Sequence, residues 1–372
     1  MTDLRMLGQL LRALGLALLS YLVPKRRGLF VFYPTFERGA YAGHLAPVFE
    51  ALLSDHPEID CLWLTNAPAT ARQLAALGRP VACYARYPLW TILRAEWLLL
   101  DSFAQSLAFG RFRLAQLWHG TGFKRIGLLN LNRAGLRRCL HRHHYGKYAF
   151  ILAGSPADRR RKIEAFGNAN VFVTGSPRND VFFAAPAAAR RPVAGPLIAY
   201  CPTFRDNGDA PVLSPAFWPA LQALLDRTGG RFVVKRHPKE RSLKVPVDRP
   251  AIADVTATTA DVQQLLLAAD VLITDYSSIS TDFVLTGRPL LFFVPDLAAY
   301  TAASRSLYFD LETLLPGPFA RNETELLAWL ADLSWFDDPA YQARYAAFRA
   351  TFHQHLDGGA AKRTVAQLLA LR

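Results

Sequence analysis

Asp270-Val271-Leu272-Ile273-Thr274-Asp275-Tyr276-Ser277-Ser278-Ile279-Ser280-Thr281-Asp282-Phe283 reads as a buried strand that runs into an acid, a pair of serines and the start of a helix. The same alternation of short β-rich runs with helical patterns extends over almost the whole chain, and it predicts parallel α/β architecture. Upstream, strands are expected at Gly28–Tyr33, Ile59–Thr65, Pro80–Tyr84, Trp97–Asp101, Leu114–Trp118, Tyr148–Ala153 and Val171–Thr174. Around the opening stretch they are expected at Leu197–Cys201, Arg231–Lys235, Val271–Thr274 and Pro289–Val294. Between the two series, Ala184–Pro196 is rich in Ala, Pro, Arg and Gly without periodicity and reads as a linker. The segment from about Glu323 to Arg372 reads as helical, and no internal repeat of 20–50 residues is visible.

A length of 372 residues suits two domains, and 51% hydrophobic with 20% charged residues is globular composition. The net charge of +13, carried by 35 Arg and 8 Lys, points to an anionic partner: acidic lipid, phosphorylated substrate or nucleic acid. No nucleic-acid-binding motif accompanies the basic runs at Arg133–Lys147 and Arg159–Lys162, so no nucleic-acid partner is expected. Cys61, Cys83, Cys139 and Cys201 are widely spaced, which suggests neither a zinc cluster nor a disulfide framework. Dinucleotide-binding and P-loop fingerprints are absent, as is a D-x-D pair for a metal beside a diphosphate. These absences weigh against a simple dehydrogenase, an ATPase and a metal-dependent transferase; neither metal nor cofactor is expected.

The N-terminus is apolar from Leu4 to Val23 and ends in Pro24-Lys25-Arg26-Arg27. Leu4, Leu7, Leu11, Leu14 and Leu18 recur at helical spacing, while Arg12 interrupts the run. The pattern predicts an amphipathic helix lying in a membrane surface rather than crossing it. A helix packed on the protein's own core is the alternative.

Three post-strand loops carry residues suited to chemistry. Trp118-His119-Gly120-Thr121-Gly122-Phe123-Lys124 places an imidazole among glycines. Lys235-Arg236-His237-Pro238 gathers positive charge suited to a phosphate. Ser277 and Ser278 either cap a helix or offer its N-terminus to a phosphate. Weaker candidates are Gly175-Ser176-Pro177-Arg178-Asn179-Asp180, Cys201-Pro202-Thr203-Phe204-Arg205-Asp206 and Arg305, each of which could equally be a turn or ion pair.

Taken in order, these segments resemble the CDP-glycerol glycerophosphotransferases, the teichoic-acid primases and polymerases. The resemblance rests on Trp118–Thr121, Gly175–Asp180, Pro202–Arg205, His237-Pro238, Thr274–Phe283, Arg288-Pro289 with Asp296 and Tyr300, then Arg305, Tyr308–Asp310 and Pro316-Gly317-Pro318. Two positions depart from the family pattern: Gly122-Phe123 and Ser306. The resemblance implies a GT-B-like α/β fold of two Rossmann-like domains facing each other across a cleft. Residues 1–27 would form the membrane-surface helix, 28–184 an acceptor domain, 185–196 the linker and 197–372 the donor domain. It implies transfer of glycerol or ribitol phosphate from a CDP-linked donor to a lipid-linked or polymeric acceptor on the cytoplasmic face of a bacterial membrane. His119 would be the base and His237 would neutralise the leaving group. Arg205, Arg236, Thr274, Asp275, Ser277, Ser278, Asp282 and Arg305 would hold the donor. Trp118, Gly120, Thr121, Lys124, Arg178, Asn179 and Asp180 would support the acceptor loops. A nucleotide-sugar glycosyltransferase and a non-catalytic membrane- or polymer-binding protein are the rival readings.

Overall fold

The computed structural model describes residues 2–36, 39–83, 88–107, 109–129, 135–184, 195–203, 205, 213–237, 240, 242–259, 261–303 and 307–372. Two α/β units result, each built on a parallel sheet. The first comprises residues 1–119, 126–180 and 353–372; the second comprises 120–125 and 181–352.

The first sheet contains β1 (Leu29–Tyr33), β2 (Asp60–Thr65), β3 (Val81–Cys83), β4 (Trp97–Leu100), β5 (Arg113–Gln116), β6 (Tyr148–Ala153) and β7 (Val171–Val173), in the order β3-β2-β1-β4-β5-β6-β7. Both faces are covered. Val31 and Leu98 point into one core layer with Tyr145, Tyr148 and Phe166, while Phe30, Phe32 and Leu99 point into the other with Phe49 and Trp63. Burial on both sides explains why these strands read as continuous apolar runs.

The second sheet contains β8 (Leu197–Cys201), β9 (Arg231–Val234), β10 (Ile252–Asp254), β11 (Val271–Thr274), β12 (Leu290–Phe293) and β13 (Phe319–Ala320), in the order β10-β9-β8-β11-β12-β13. In each sheet the order reverses between the first and fourth strands, β1/β4 and β8/β11. Loops at the strand C-termini beside such a reversal are where open α/β sheets receive ligands.

Every strand expected from sequence is present within a residue or two of its bounds. β10 and β13 were missed because they are edge strands of three and two residues, too short to show a period. A larger difference concerns the closing helix. Sequence reading assigned 197–372 to one domain, but helix Ala360–Ala370 belongs to the first unit, where Ala361, Val365 and Leu368 lie in the layer with Phe30 and Phe49. Asp180 fastens its start, its two carboxylate oxygens accepting the backbone N–H groups of Ala360 and Ala361 at 3.0 and 2.8 Å. Most of the expected linker, 185–194, lies outside the described residues.

The N-terminal helix Thr2–Leu22 rests on the first unit through small residues. Ala13, Ala17 and Ser20 face inward, and Ser20 Oγ accepts the N–H of Arg111 at 2.8 Å. Gly110 lets the approach be close, since a Cβ there would stand 2.9 Å from Ser20 Oγ and 2.1 Å from the Phe112 ring. Leu11, Leu18 and Leu22 face the other way, with 60, 64 and 71% of their surface exposed. Among the described residues no helix is long and apolar enough to cross a membrane.

Leu368 is fully buried. Leu368→Ala is expected to lower stability by about 2–5 kcal/mol, read by denaturant unfolding as a shift in the first unit's transition.

Candidate active site

His119 follows β5 in the first unit. Strand β5 ends at Gln116, two residues short of the expected Trp118, because Trp118 takes a left-handed backbone at φ 60°. The Gln116 side chain braces that turn by accepting the Trp118 N–H at 2.9 Å. A left-handed conformation costs a residue of this kind roughly 1–3 kcal/mol, and here it reorients the residue that follows. The His119 ring stacks on Phe36, with centroids 3.7 Å apart and planes at 4°, and on Trp118 at 4.4 Å. Its Nδ1 lies 2.9 Å from the Asp101 carbonyl oxygen. A carbonyl only accepts, so Nδ1 carries the hydrogen and Nε2 carries the lone pair. Burial lowers the His119 pKa to about 4; the Asp101 contact opposes this, while the charges of Arg178 and Lys162 add to it. The imidazole is neutral at pH 7 and able to accept a proton at Nε2.

Asp101 also shapes the neighbouring loop. Its Oδ1 accepts from Thr35 N at 2.7 Å, Phe36 N at 2.9 Å and Thr35 Oγ1 at 3.1 Å, which fixes the ring that stacks on His119. Arg178 donates from Nη1 to the His119 carbonyl at 2.6 Å, and its backbone N–H lies 3.4 Å from His44 Nδ1. His44 is buried, and burial together with the charges of Arg178 and Lys162 pushes its pKa well below the usual value. Sequence reading passed over His44, Phe36 and Asp101. A histidine directly before the apolar helix Leu45–Asp55 was the available signal for the first of these. Asn179 is buried beside Arg178, and Asp180 serves the closing helix instead of the loop.

In the second unit, Arg205 ties three strand ends together. It donates to Asp296 from Nε and Nη2 at 2.8 and 3.1 Å, and its Nη1 lies 2.8 Å from Asp275 Oδ2. Its guanidinium also stands 4.8 and 4.9 Å from the rings of Tyr276 and Tyr300, which stack at 3.8 Å. The Asp275 carboxylate accepts from Thr203 N, Thr203 Oγ1 and Tyr276 N, while Thr274 Oγ1 donates to the Cys201 carbonyl at 2.7 Å. Arg205, Thr274 and Asp275, expected at the donor, are thus buried and engaged in bonds within the unit itself. Asp282 is likewise buried, accepting from Gln263 Nε2 at 3.1 Å. Arg236 is ion-paired with Asp254, and the exposed His237 follows it. Arg305 lies outside the described residues.

The loop Gly120–Arg125 packs within this second unit. Gly120 adopts φ 139°, a backbone that only glycine takes readily. The Thr121 carbonyl accepts from Thr281 Oγ1 at 3.3 Å, and a Cβ on Gly122 would lie 3.9 Å from Ser278 Cβ. Lys124 Nζ stands 5.1 Å from the Tyr300 ring centroid. Ser277 and Ser278 are half-buried at the start of helix Ile279–Phe283, and Ser278 makes no side-chain cap. That helix has only five residues. Its dipole is correspondingly small. Among the described residues no cluster of three His, Cys, Asp or Glu side chains could hold a metal ion.

The profile of the CDP-glycerol:poly(glycerophosphate) glycerophosphotransferases matches residues 16–370. The chain belongs to this family. It is 29% identical over 276 residues to the teichoic acid poly(ribitol-phosphate) polymerase of Bacillus spizizenii, covering 69% of this chain and 43% of that protein. It is 24% identical over 363 residues to the teichoic acid poly(glycerol phosphate) polymerase of Bacillus subtilis, covering 86% and 46%. The chain therefore spans about half the length of these curated relatives. A structure of the wall teichoic acid polymerase TagF, a histidine-to-asparagine variant with CDPG, superposes with a TM-score of 0.77 at 20% identity, covering 99% of this chain and 98% of that one. The fold of this glycerophosphotransferase family member is accordingly GT-B-like.

Removing Arg205 leaves the buried Asp275 carboxylate without its cationic partner. Arg205→Met is expected to cost about 3–5 kcal/mol of stability, measured by chemical denaturation.

Proposed function

We propose that the protein transfers glycerol phosphate, or a related polyol phosphate, from a CDP-linked donor to a hydroxyl of a cell-surface polymer or its lipid-linked precursor. The observation that carries this reading is the neutral, preoriented His119, in a family member whose match spans nearly the whole chain. The acceptor oxygen attacks the phosphorus that bears the polyol, and its proton passes to His119 Nε2. The bond from that phosphorus to the bridging oxygen breaks, and CMP departs with the electron pair. A positioned base of this kind contributes about 10²- to 10⁴-fold in rate. Phe36, Trp118 and the Asp101 carbonyl hold the ring and its tautomer. Arg178 holds the backbone beneath it.

On the donor side, Ser277 and Ser278 with the Gly120–Gly122 backbone offer hydroxyl and N–H donors to phosphate oxygens. His237 supplies charge to the departing CMP. Arg205, Asp275 and Asp296 keep this loop cluster in place. Glycerol and ribitol remain alternative polyols, since the two relatives named above differ in this respect. The nucleotide-sugar reading predicts UDP-sugar turnover instead.

The N-terminal helix supports peripheral attachment to the cytoplasmic face of a bacterial membrane. Its small-residue face is occupied by the protein, and its leucine face is exposed. Transfer onto a lipid-linked acceptor would place substrate and enzyme at the same surface.

CMP release from CDP-glycerol or CDP-ribitol, with a polyol-phosphate acceptor and EDTA present, tests the reading. Acceptor-dependent release is expected, with His119→Ala reducing kcat by at least about 10²-fold while the far-UV spectrum stays unchanged. Near wild-type turnover by that variant would sink the base assignment. Because the free ring stays unprotonated down to about pH 4, kcat/KM should show no acid limb from His119 near pH 6.5. A limb centred near pH 6.5 and lost in His119→Ala would contradict the neutral ring.

A further inference from the structure

A cavity of about 430 Å³ opens in the first unit, lined by Tyr21, Lys25, Glu96, Arg111, Phe112, Arg113 and Lys147 among others. Glu96, Arg113 and Lys147 precede or begin β4, β5 and β6. The cavity therefore lies at the strand N-termini, the opposite end of the parallel sheet from His119, and the transfer chemistry makes no use of it.

Its charge is unbalanced. Lys25, Arg111, Arg113 and Lys147 face a single carboxylate, Glu96, which already accepts from Arg372 Nε and Nη2 at 3.1 and 3.0 Å and from the Gly28 N–H. Among the described residues neither Arg111, Arg113 nor Lys147 forms an ion pair with a carboxylate. Arg113 instead lies 4.6 Å over the Trp97 ring, and Lys25 lies 4.4 Å over Phe112 while donating to the Leu93 carbonyl at 2.7 Å. Burial and the Arg111 charge lower the Lys25 pKa to about 8. An anion in the cavity would relieve this mutual repulsion.

The cavity adjoins an exposed apolar stripe. Tyr21 and Lys25 stand at the end of the N-terminal helix, whose Leu11, Leu14, Leu18 and Leu22 are exposed one turn apart. An apolar stripe, an exposed tyrosine and clustered cations together match the acyl layer, interface and headgroup of a membrane. We propose that the Lys25–Arg111–Arg113–Lys147 cavity binds the phosphate of an acidic phospholipid while the leucine stripe enters the acyl layer beside it. This rests on the reading of the N-terminal helix as a membrane-surface element.

The test is co-sedimentation of the full chain with vesicles of phosphatidylcholine, alone or mixed with phosphatidylglycerol. Arg111→Gln with Lys147→Gln removes two cavity charges. Arg160→Gln with Lys244→Gln removes two exposed charges elsewhere. At about 1 kcal/mol per cation, the cavity pair should lose roughly 10- to 30-fold of partitioning onto the acidic vesicles and nothing on the neutral ones. The control pair should lose much less, and Arg111→Lys with Lys147→Arg should retain binding. Equal loss by cavity and control pairs would reduce the site to general surface charge. Absence of any gain from phosphatidylglycerol would also overturn it, as would inorganic phosphate at millimolar concentration protecting the cavity against heat without a vesicle preference. Leu14→Gln with Leu18→Gln tests the helix separately. If that variant binds neutral vesicles as well as wild type does, the helix reading fails whatever the cavity does.

Discussion

One carboxylate in each sheet, placed just after the fourth strand, governs how the loops above it are built. Asp101 follows β4 and accepts N–H groups from Thr35 and Phe36 in the loop after β1. Asp275 follows β11 and accepts the N–H of Thr203 in the loop after β8. Both loops begin Pro-Thr-Phe, at Pro34 and Pro202, and in both the threonine hydroxyl donates to the same acid. The acids stand where the strand order reverses, the point at which two loops diverge and leave a crevice. A buried carboxylate without these N–H donors would be costly. Each acid is therefore stable only when its partner loop is in place, and each loop is ordered by its acid.

The two sheets use this device differently. In the first, the acid's own carbonyl orients His119 and its carboxylate holds the aromatic ring against which His119 lies, so one residue sets tautomer and angle. In the second, the acid recruits Arg205, which reaches Asp296 beyond β12 and lies against two stacked tyrosines. That unit gains a charge-paired cluster of buried side chains, while Ser277 and Ser278 nearby in sequence stay half-exposed. Positioning and electrostatics supply nearly all of the rate of phosphoryl transfer, so the proposed reaction would draw on this preorganisation.

Much of this was legible in the chain. Strands buried on both faces announce themselves as apolar runs, and the post-strand loops carrying His119, Arg205 and Ser277 were visible because chemistry-bearing residues interrupt those runs. What stayed hidden depends on contacts between residues far apart in sequence. Nothing near Asp180 says that it caps a helix starting at Ala360, and nothing near Arg236 says that Asp254 takes its charge. The Arg205 loop was open to reading as an ion pair, but its partners Asp275 and Asp296 lie 70 and 91 residues away. Mutual pairing allows Arg205 and Asp275 to be buried. The leucine periodicity of the N-terminal helix was legible, but not that the intervening alanines and Ser20 would be its docking face.

The closing helix makes the first unit discontinuous. Phe30, Phe49 and Trp63 share a core layer with Val365 and Leu368, whose codons are translated last among these. A growing chain thus carries an unfinished apolar face through synthesis of the whole second unit. The second unit needs only the short stretch Gly120–Arg125 from earlier in the chain, already in hand when its own strands emerge. Contacts of such long sequence separation are slow to form and leave surface open to chaperones or aggregation. The unit made second is the first whose core can close.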